Sequence, residues 1–449
     1  MQQQHRTVDR RTLLKAGGLL AGAFALAGCS SGGDGYAQPK GDVPKQYADR
    51  VRVVLWSPFP ANMQKPINKM VSDFNESQSD IYAESQYFKD HAEVQAQLQR
   101  GLQAKTIPDL AVIDAVSWSQ FLFSGVLEPM DEYLDKFGVE RSDYADAFLK
   151  EGLRNGKLWW LSFSRTCATF YYNKDAFAQA GLPDRAPQTW DELQEWGPEL
   201  SKLTFQGKHP KVHTKIEDLV NWTYQGVAWA WGGAISKGLD VTVADKEAVA
   251  GAQWQRDFIT KGMAEQSNNA AVDFYNQQAM TMISSGGAMN SIAEQSKFEL
   301  GVGTVPKQVA QGTPTGGAGI SILAGAPKER KEAAFQVLKY LTAPEQSAYF
   351  STSTGYLPVS KGAVDTALMK KYIDQNPSYQ ALIDELKVAR QCDDVLVQVP
   401  GAYAEVLSSI QKVYQGGGEA ASILGELRDS LNQLVDKVKP SIDKWQQGA

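Results

Sequence analysis

The sequence predicts an α/β fold, and three strands that alternate with two helices early in the chain carry that prediction. Apolar runs of strand length lie at 51–56, 81–87 and 109–113, while apolar residues with helical spacing lie at 64–75 and 92–104. Such alternation predicts a parallel sheet with right-handed crossovers. Ligands of such sheets bind outside the carboxyl ends of the strands.

Each predicted element has its own pattern. The run 51–56 is short and apolar, and the helix after it repeats apolar residues at Ile67, Met70, Val71 and Phe74. The second strand alternates in polarity, whereas the third is apolar almost throughout, as expected of a buried strand.

The ends of these strands give the first candidate site residues. Trp56 ends the first strand, His91 lies in the segment after the second strand, and the segment from Asp114 to Trp118 follows the third. Because these strand ends meet at one edge of the sheet, we expect these residues at the rim of a ligand site.

The amino terminus predicts export and lipidation. Arg10 and Arg11 precede an apolar stretch at 16–27 that is too short to span a bilayer, and Leu26-Ala27-Gly28-Cys29 resembles a lipobox. We interpret 1–28 as a signal peptide with a twin-arginine-like motif and Cys29 as the lipidation site. A plain signal peptide with a chance cysteine is the alternative, and the twin-arginine and general secretory routes both stay open.

The predicted anchor is followed by a predicted flexible tether at 29–50, rich in serine, glycine, aspartate, proline and lysine. The folded body is then expected to begin near Val51. The remaining chain of almost 400 residues is too long for one ordinary core, so two lobes are expected.

Charge narrows the range of partners. The chain has 45 basic and 51 acidic side chains, and removal of residues 1–28 leaves 41 and 50. An acidic surface of this kind does not suit nucleic acid or anionic lipid surfaces. After lipidation of Cys29 two cysteines remain, Cys167 and Cys392, which either form a disulfide or stay as buried free thiols.

An ordered series of motifs resembles a known family. The segments are Gly-Lys-Leu-Trp-Trp at 156–160, Pro-Thr-Gly-Gly-Ala-Gly at 314–319 and Thr-Gly-Tyr-Leu-Pro-Val at 354–359. Together they resemble family 1 extracellular solute-binding proteins of ABC importers. The segments 186–200 and 219–226 resemble most the branch that binds glycerol-3-phosphate and glycerophosphodiesters.

The resemblance implies a periplasmic-binding-protein-like fold with two α/β lobes, a hinge of three crossings near 165, 315 and 355, and a ligand cleft between the lobes. The lobes would be 51–164 with 316–354, and 165–315 with 355–449. Together with the predicted lipobox at Cys29, it implies a lipid-anchored, exported receptor that needs no cofactor and delivers a sugar, polyol or glycerophosphodiester to the permease subunits of an importer.

The resemblance also assigns ligand residues in the cleft. They are Trp222 and Leu219 as a wall, Ser284 or Ser285 as a hydrogen-bonding group, the backbone at Gly316 and Gly317, and Tyr356. Rings, a few hydroxyls and close backbone approach suit a polyhydroxylated ligand.

The chain departs from the branch at three positions. The tyrosine after the second strand appears as His91, the acid after the third strand falls on Ala115, and the phosphate-binding arginine falls in 398–406, which has no basic residue. Tyr403 is the candidate replacement there, and Glu405 would repel an anion if it faced the ligand.

These departures favour a neutral sugar or other polyhydroxylated solute over glycerol-3-phosphate. The alternative is that Arg165 takes over the anion, so that a glycerophosphodiester remains the ligand; otherwise Arg165 forms a hinge salt bridge.

An enzyme, such as a surface-anchored glycoside hydrolase, is the alternative of another class. Asp393 and Asp394 are adjacent and point to opposite faces of an extended chain, so they cannot flank one glycosidic bond. His209 and His213 have Pro210 between them and no nearby cysteine, which does not favour a metal site. We therefore predict a binding protein without chemistry of its own.

Overall fold

The computed structural model describes residues 36–216 and 219–448, and residues 36–449 form one compact unit. The predicted signal peptide and Cys29 lie outside the described residues. Within the described residues, no helix combines the length and apolar character needed to cross a bilayer.

The strands follow in chain order: β1 (Val51–Ser57), β2 (Ile81–Tyr87), β3 (Leu110–Asp114), β4 (Leu127–Glu128), β5 (Leu153–Arg154), β6 (Lys157–Leu158), β7 (Leu161–Asn173), β8 (Lys211–Ile216), β9 (Ser236–Lys237), β10 (Asp240–Val241), β11 (Ala264–Ser267), β12 (Ala279–Ser285), β13 (Leu300–Gly303) and β14 (Thr315–Leu323).

The helices follow in chain order: α1 (Ala61–Ser77), α2 (His91–Ala104), α3 (Trp118–Phe123), α4 (Asp131–Phe137), α5 (Asp146–Glu151), α6 (Lys174–Gln179), α7 (Trp190–Lys202), α8 (Val220–Ala230), α9 (Lys246–Thr260), α10 (Ala270–Tyr275), α11 (Met289–Gln295), α12 (Lys328–Leu341), α13 (Pro344–Thr354), α14 (Ala367–Gln375), α15 (Ser378–Leu386), α16 (Asp394–Gln398), α17 (Ala402–Tyr414) and α18 (Ala420–Gly448).

The predicted alternation at the start of the body is confirmed. β1 pairs in parallel with β2, with Val51 opposite Ile81, and also with β3, with Leu55 opposite Leu110. The helices α1 and α2 connect these strands. The carboxyl ends of β1, β2 and β3 therefore meet at one edge, as the sequence predicted.

The complete sheet is mixed. Its order is β11-β8-β12-β7-β14-β3-β1-β2, and β13 and β4 pair with β7 and β14 off this path. The two central strands, β7 and β14, are antiparallel to each other, and every residue of β7 is buried. Because β7 and β14 are shared by both halves of the sheet, they join the two halves directly.

The pair of central strands brings two backbones unusually close. Gly316 lies opposite Thr166 and Gly317 opposite Arg165. Gly317 has a φ of +92°, and a Cβ placed there would lie 2.0 Å from the Ser164 carbonyl oxygen. Only glycine fits that position, so the Gly-Gly sequence has a steric reason.

Separate apolar cores lie on the two sides of this crossing. One side contains buried Val53, Leu110 and Ile320, and the other contains buried Phe170 and Leu424. The arrangement suits the predicted pair of lobes, whose boundaries stay a prediction.

Residues 36–50 pack on the body, contrary to the expectation of a flexible tether up to residue 50. The Gln38 side-chain amide donates to the Asp109 carboxylate at 2.6 Å, and Tyr47 stacks on Tyr82 with ring centroids 4.9 Å apart. Because these contacts fix the segment, the ordered part begins before Val51.

The last helix, α18, ends against the other side of the molecule. Trp445 packs edge-on against Phe123 at 5.5 Å and Trp159 at 5.8 Å between ring centroids. The chain from 355 onward therefore contacts apolar residues on both sides of the crossing.

The two cysteines of the body are free and buried, which is one of the two predicted states. Burial raises the pKa of both thiols, that of Cys392 to about 12. Cys392 lies 3.7 Å from the Thr315 carbonyl oxygen, and Cys167 lies opposite Thr315 in the sheet.

Candidate ligand cleft

Trp222 lies directly on the central strand β14. Its indole N–H donates to the Thr315 carbonyl oxygen at 2.9 Å, and a Cβ placed on Gly316 would lie 3.0 Å from the indole. Leu219 is the residue that precedes α8, which carries Trp222. Trp222, the predicted wall residue, is therefore in contact with the β14 backbone at Thr315 and Gly316.

Ser285 and Tyr356 meet at the end of β12. The Ser285 hydroxyl lies 3.3 Å from the Thr166 hydroxyl and accepts from the Gly287 N–H at 3.2 Å. A Cβ placed on Gly287 would lie 3.0 Å from the Tyr356 ring. Ser284 precedes this turn and is buried, with 6% of its surface exposed.

Tyr356 is held in place on two further sides. Its ring stacks on Phe350 with centroids 5.8 Å apart, and its carbonyl oxygen accepts from the Tyr379 hydroxyl at 2.5 Å. Burial raises the pKa of Tyr356, while the charge of Arg165 acts in the opposite direction. The Tyr356 side chain therefore keeps its phenolic proton and lies near Arg165.

Arg165 forms a buried ion pair. Its Nη2 donates to both carboxylate oxygens of Glu151, at 2.6 and 2.5 Å, and none of its surface is exposed. The guanidinium also lies over the rings of Trp160 and Phe148, at 5.1 and 5.2 Å from their centroids. The contacts form a buried salt bridge through Nη2, while Nε and Nη1 of Arg165 have no hydrogen-bond partner among the described residues.

The opposite rim is formed around Asp114, the last residue of β3. Its carboxylate accepts from the Gln95 amide at 2.6 Å and from the Ser117 hydroxyl at 2.7 Å. The sequence predicts the segment 114–118 at this edge, and the resemblance puts the family's acid on Ala115, the residue after Asp114. Asp114 is the carboxylate that ends β3 there.

His91 begins α2 beside this carboxylate. Burial lowers the pKa of its imidazole, while the charges of Asp114 and Asp90 act in the opposite direction. Its Nδ1 is buried without a hydrogen-bond partner among the described residues. His91 therefore has one ring nitrogen free for a hydrogen bond.

Tyr403, at the start of α17, links the two rims. Asn221 donates to the Tyr403 carbonyl oxygen at 2.9 Å and accepts from the Trp222 N–H at 2.8 Å. Burial raises the pKa of the Tyr403 hydroxyl, the charge of Asp114 acts in the same direction, and a hydrogen bond with Asn221 acts in the opposite direction. Tyr403 thus lies near Trp222 on one side and near the Asp114 carboxylate on the other.

Glu405 does not face this group, in contrast to the repulsion considered from the sequence. Its side chain is exposed and accepts from the Ser430 hydroxyl of α18 at 3.2 Å. Tyr403 and Glu405 are two residues apart on α17 and therefore point to roughly opposite faces of the helix, so the carboxylate is directed away from the half-buried phenol.

Trp56 and Trp118 pack mainly on protein. The Trp56 indole donates to Gln86 at 2.9 Å, and its ring lies edge-on to Phe88 at 5.1 Å. Trp118 stacks on Trp160 at 5.9 Å and exposes only 1% of its surface. Direct contact between a solute and Trp118 would require its neighbours to move.

The residues considered as catalytic or metal-binding candidates form hydrogen bonds within the protein. Asp393 accepts from the Trp229 indole at 3.0 Å and from the Ile235 N–H at 2.7 Å. His213 is buried beside the Thr281 hydroxyl, whereas His209 is exposed. In the part of the chain that the structure describes, no group of three or more metal-ligating side chains occurs.

These features define a class. A mixed sheet with two shared central strands, an apolar core on each side, and rings and hydroxyls at the crossing is typical of two-lobed solute-binding proteins. Residues 69–377 match the family model of bacterial extracellular solute-binding proteins, and the chain belongs to that family. It is a substrate-binding component of an ABC importer.

Similar proteins agree in fold and family. The sn-glycerol-3-phosphate-binding periplasmic protein UgpB of Yersinia enterocolitica is 25% identical over 355 residues, which cover 72% of this chain and 78% of that protein. UgpB of Mycobacterium tuberculosis, crystallised with glycerophosphocholine, is 31% identical, with 86% of this chain and 98% of that chain covered and a TM-score of 0.80. The cyclic α-maltosyl-1,6-maltose-binding protein of Arthrobacter globiformis shares the fold at 21% identity, with 86% and 100% covered and a TM-score of 0.75.

Proposed function

We propose that this chain is a lipid-anchored receptor that binds a neutral polyhydroxylated solute, a sugar or a polyol, where β7 and β14 cross. One observation carries the proposal. Trp222 contacts the Gly316 backbone, the Ser285 hydroxyl lies beside Thr166, which pairs with Gly316, and Tyr356 packs on Gly287 of the same turn, while the nearby cation Arg165 is paired with Glu151.

The arrangement supplies the groups that a sugar or polyol needs. Aromatic side chains offer apolar surface to the C–H faces of such a solute, and hydroxyl and backbone groups fix its orientation. We include Leu219, Ser284, His91 and Tyr403 as further contacts, with Trp56 and Trp118 behind the rim.

Binding would bring the two rims together. A solute between Trp222 and the Asp114 side of the cleft contacts both rims only when they are close, so it stabilises the closed arrangement. The protein already allows direct contact across the cleft, because the Ser119 hydroxyl of α3 donates to the Val397 carbonyl oxygen of α16 at 2.5 Å. The closed form then delivers the solute to the permease without chemical change.

Lipid attachment at Cys29 is part of the proposal. The support comes from the sequence, in which a short apolar stretch ends at Leu26-Ala27-Gly28-Cys29. A diacyl anchor there would hold the receptor at the outer face of the cell membrane, near the permease.

A second candidate solute is a glycerophosphodiester. The support is the 31% identity to the Mycobacterium tuberculosis protein that was crystallised with glycerophosphocholine. Asp114 strengthens this candidate for diesters with a cationic headgroup, because a carboxylate beside aromatic rings suits a quaternary ammonium group.

Calorimetric titration separates the two candidates. We expect a sugar or polyol to bind stoichiometrically, without product formation, and with an affinity that changes little between 50 mM and 500 mM salt. Binding of glycerophosphocholine with no sugar binding would contradict the neutral-solute proposal; if that binding is salt-sensitive and lost in the folded double variant Glu151→Leu with Arg165→Met, it would assign the anion to Arg165. Formation of a product from the bound sugar would contradict the receptor itself.

A further inference from the structure

Thr166 is a buried polar residue on the central strand β7, and sequence reasoning did not single it out. It lies opposite Gly316 and exposes 3% of its surface. A Cβ placed on Gly316 would lie 3.0 Å from the Trp222 ring and 3.5 Å from the Thr166 methyl carbon. Thr166 therefore lies beside the proposed aromatic wall, where β7 and β14 cross.

The Thr166 hydroxyl binds the turn that follows β12. Its oxygen accepts from the Gly287 N–H at 2.9 Å, whereas the same N–H lies 3.2 Å from the Ser285 hydroxyl oxygen. A Cβ placed on Gly286 would lie 3.1 Å from the Thr166 hydroxyl oxygen, so the turn packs closely on this side chain. Thr166 thus takes the shorter bond from a backbone donor that it shares with Ser285.

The proton of the Ser285 hydroxyl is directed into the protein. Ser285 donates to the Thr166 hydroxyl oxygen at 3.3 Å, and Thr166 donates in turn to the Cys167 carbonyl oxygen at 3.3 Å. A hydroxyl group has one proton and two lone pairs. Ser285 therefore keeps a lone pair for a further partner, and because it is only partly buried, a solute can contact it.

The backbone of this turn is fixed on two further sides. The Ser285 carbonyl oxygen accepts from the Tyr171 hydroxyl at 2.9 Å. The Tyr356 ring packs on Gly287, where a Cβ would lie 3.0 Å from it. Because the backbone is held in this way, the direction of the Ser285 hydroxyl depends on its hydrogen bond to Thr166.

We propose that Thr166 is a positioning residue, which orients Ser285 as a hydrogen-bond acceptor for a hydroxyl group of the solute. This assignment rests on the proposed function, in which the solute contacts Ser285, and adds the polarity of that contact. A sugar or polyol hydroxyl can donate to Ser285, whereas a phosphodiester oxygen only accepts. Ser285 then favours a polyhydroxylated solute at this point of the cleft.

The wild type alone tests the polarity with analogues of the bound sugar. A monodeoxy analogue lacks one hydroxyl group, and a monofluoro analogue has a fluorine there, which cannot donate a hydrogen bond. We expect one position at which both analogues bind about tenfold more weakly than the parent sugar in calorimetric titration. Recovery of the parent affinity by the fluoro analogue at every position where the deoxy analogue binds weakly would overturn the proposal.

Substitutions then assign that position to Ser285 and Thr166. Ser285→Ala should remove the analogue penalty, Thr166→Val should reduce it to about threefold or less, and Thr166→Ser, which keeps the hydroxyl, should retain it. Thr169→Val is the matched control, because Thr169 is equally buried on the same strand and donates to the Cys167 carbonyl oxygen at 3.3 Å. A merely structural effect would weaken the parent and its analogues equally. A wild-type analogue penalty in folded Thr166→Val would overturn the proposal.

Trp222→Ala separates this assignment from the proposed function. If Trp222→Ala weakens binding and Ser285→Ala does not, the solute occupies the cleft but the contact at Ser285 is wrong. If neither variant affects binding, both the proposed site and the role of Thr166 are rejected. Should Thr166→Val fail to fold, Thr166→Ala replaces it with the same analogues, and the wild-type comparison decides the polarity in either case.

Discussion

Nη2 of Arg165 lies 2.6 and 2.5 Å from the two carboxylate oxygens of Glu151, and the side chains expose 0% and 6% of their surface. Arg165 belongs to the central strand β7, opposite Gly317, and Glu151 ends α5. The positive charge of Arg165 is therefore paired through Nη2 with a carboxylate of the protein, while Nε and Nη1 have no hydrogen-bond partner among the described residues.

Loss of one partner of this pair should be costly. Glu151→Ala leaves the Arg165 guanidinium buried without a counter-charge, and we expect the free energy of unfolding to fall by about 3–5 kcal/mol. Urea denaturation measures this free energy of unfolding. The double variant Glu151→Leu with Arg165→Met should recover much of the loss, because both charges are then absent. A change below about 1 kcal/mol in Glu151→Ala would mean that water already solvates the pair.

The aromatic wall should supply much of the affinity for the solute. Trp222→Ala and Tyr356→Ala should each weaken binding by about 2 kcal/mol or more, as is usual for buried aromatic contacts at a binding site. Calorimetry with the solute identified above measures the effect. Trp254→Ala is the control, because Trp254 packs on Trp190 and Trp231 and none of the proposed cleft residues. A folded double variant with wild-type affinity would show that the site is misplaced.

The proposed anchor has a simple test. Cys29→Ala should give an exported protein that no longer partitions into the detergent phase, because the lipid has no sulfur to attach to. Cys167→Ala serves as the control for removal of a thiol that the structure shows to be buried. Recovery of the wild type in the aqueous phase of the culture medium would reject lipidation.

The pH dependence of stability should reveal a buried carboxyl group. Burial raises the pKa of Glu385 to about 7, while hydrogen bonds from Thr313, Val305 and Gln311 act in the opposite direction. The native state therefore keeps a proton that the unfolded state loses at lower pH, so the contribution of this group to stability falls as pH rises toward and through 7.

Glu385→Gln removes that titration while it keeps a hydrogen-bonding side chain. We expect its melting temperature to exceed that of the wild type by more at pH 8 than at pH 5. Glu345→Gln, at an exposed carboxylate in the first turn of α13, is the matched control and should show little difference. Equal effects of Glu385→Gln at both pH values would mean that Glu385 ionises as it does in the unfolded chain.

The sequence by itself determined the local pattern of the fold. Apolar periodicity predicted β1, α1, β2, α2 and β3 and their parallel pairing, because each side chain's direction along a helix or strand is fixed by the backbone. The Gly316–Gly317 pair was also visible in the sequence, and the structure gives Gly317 a steric reason, because a Cβ there would lie 2.0 Å from the Ser164 carbonyl oxygen. The family and the class of function followed from motifs in the correct order.

Only the tertiary structure decided what the charged residues do. Arg165 meets Glu151 across 14 residues of chain, Glu405 turns toward Ser430, and Asp114 accepts a hydrogen bond from the Gln95 amide of α2. The burial and partners of a charge depend on elements distant in sequence, and local periodicity contains no information about them. The antiparallel position of β14 between β7 and β3 defines where the proposed cleft lies. This position depends on pairing between strands distant in sequence, so local periodicity could not predict it.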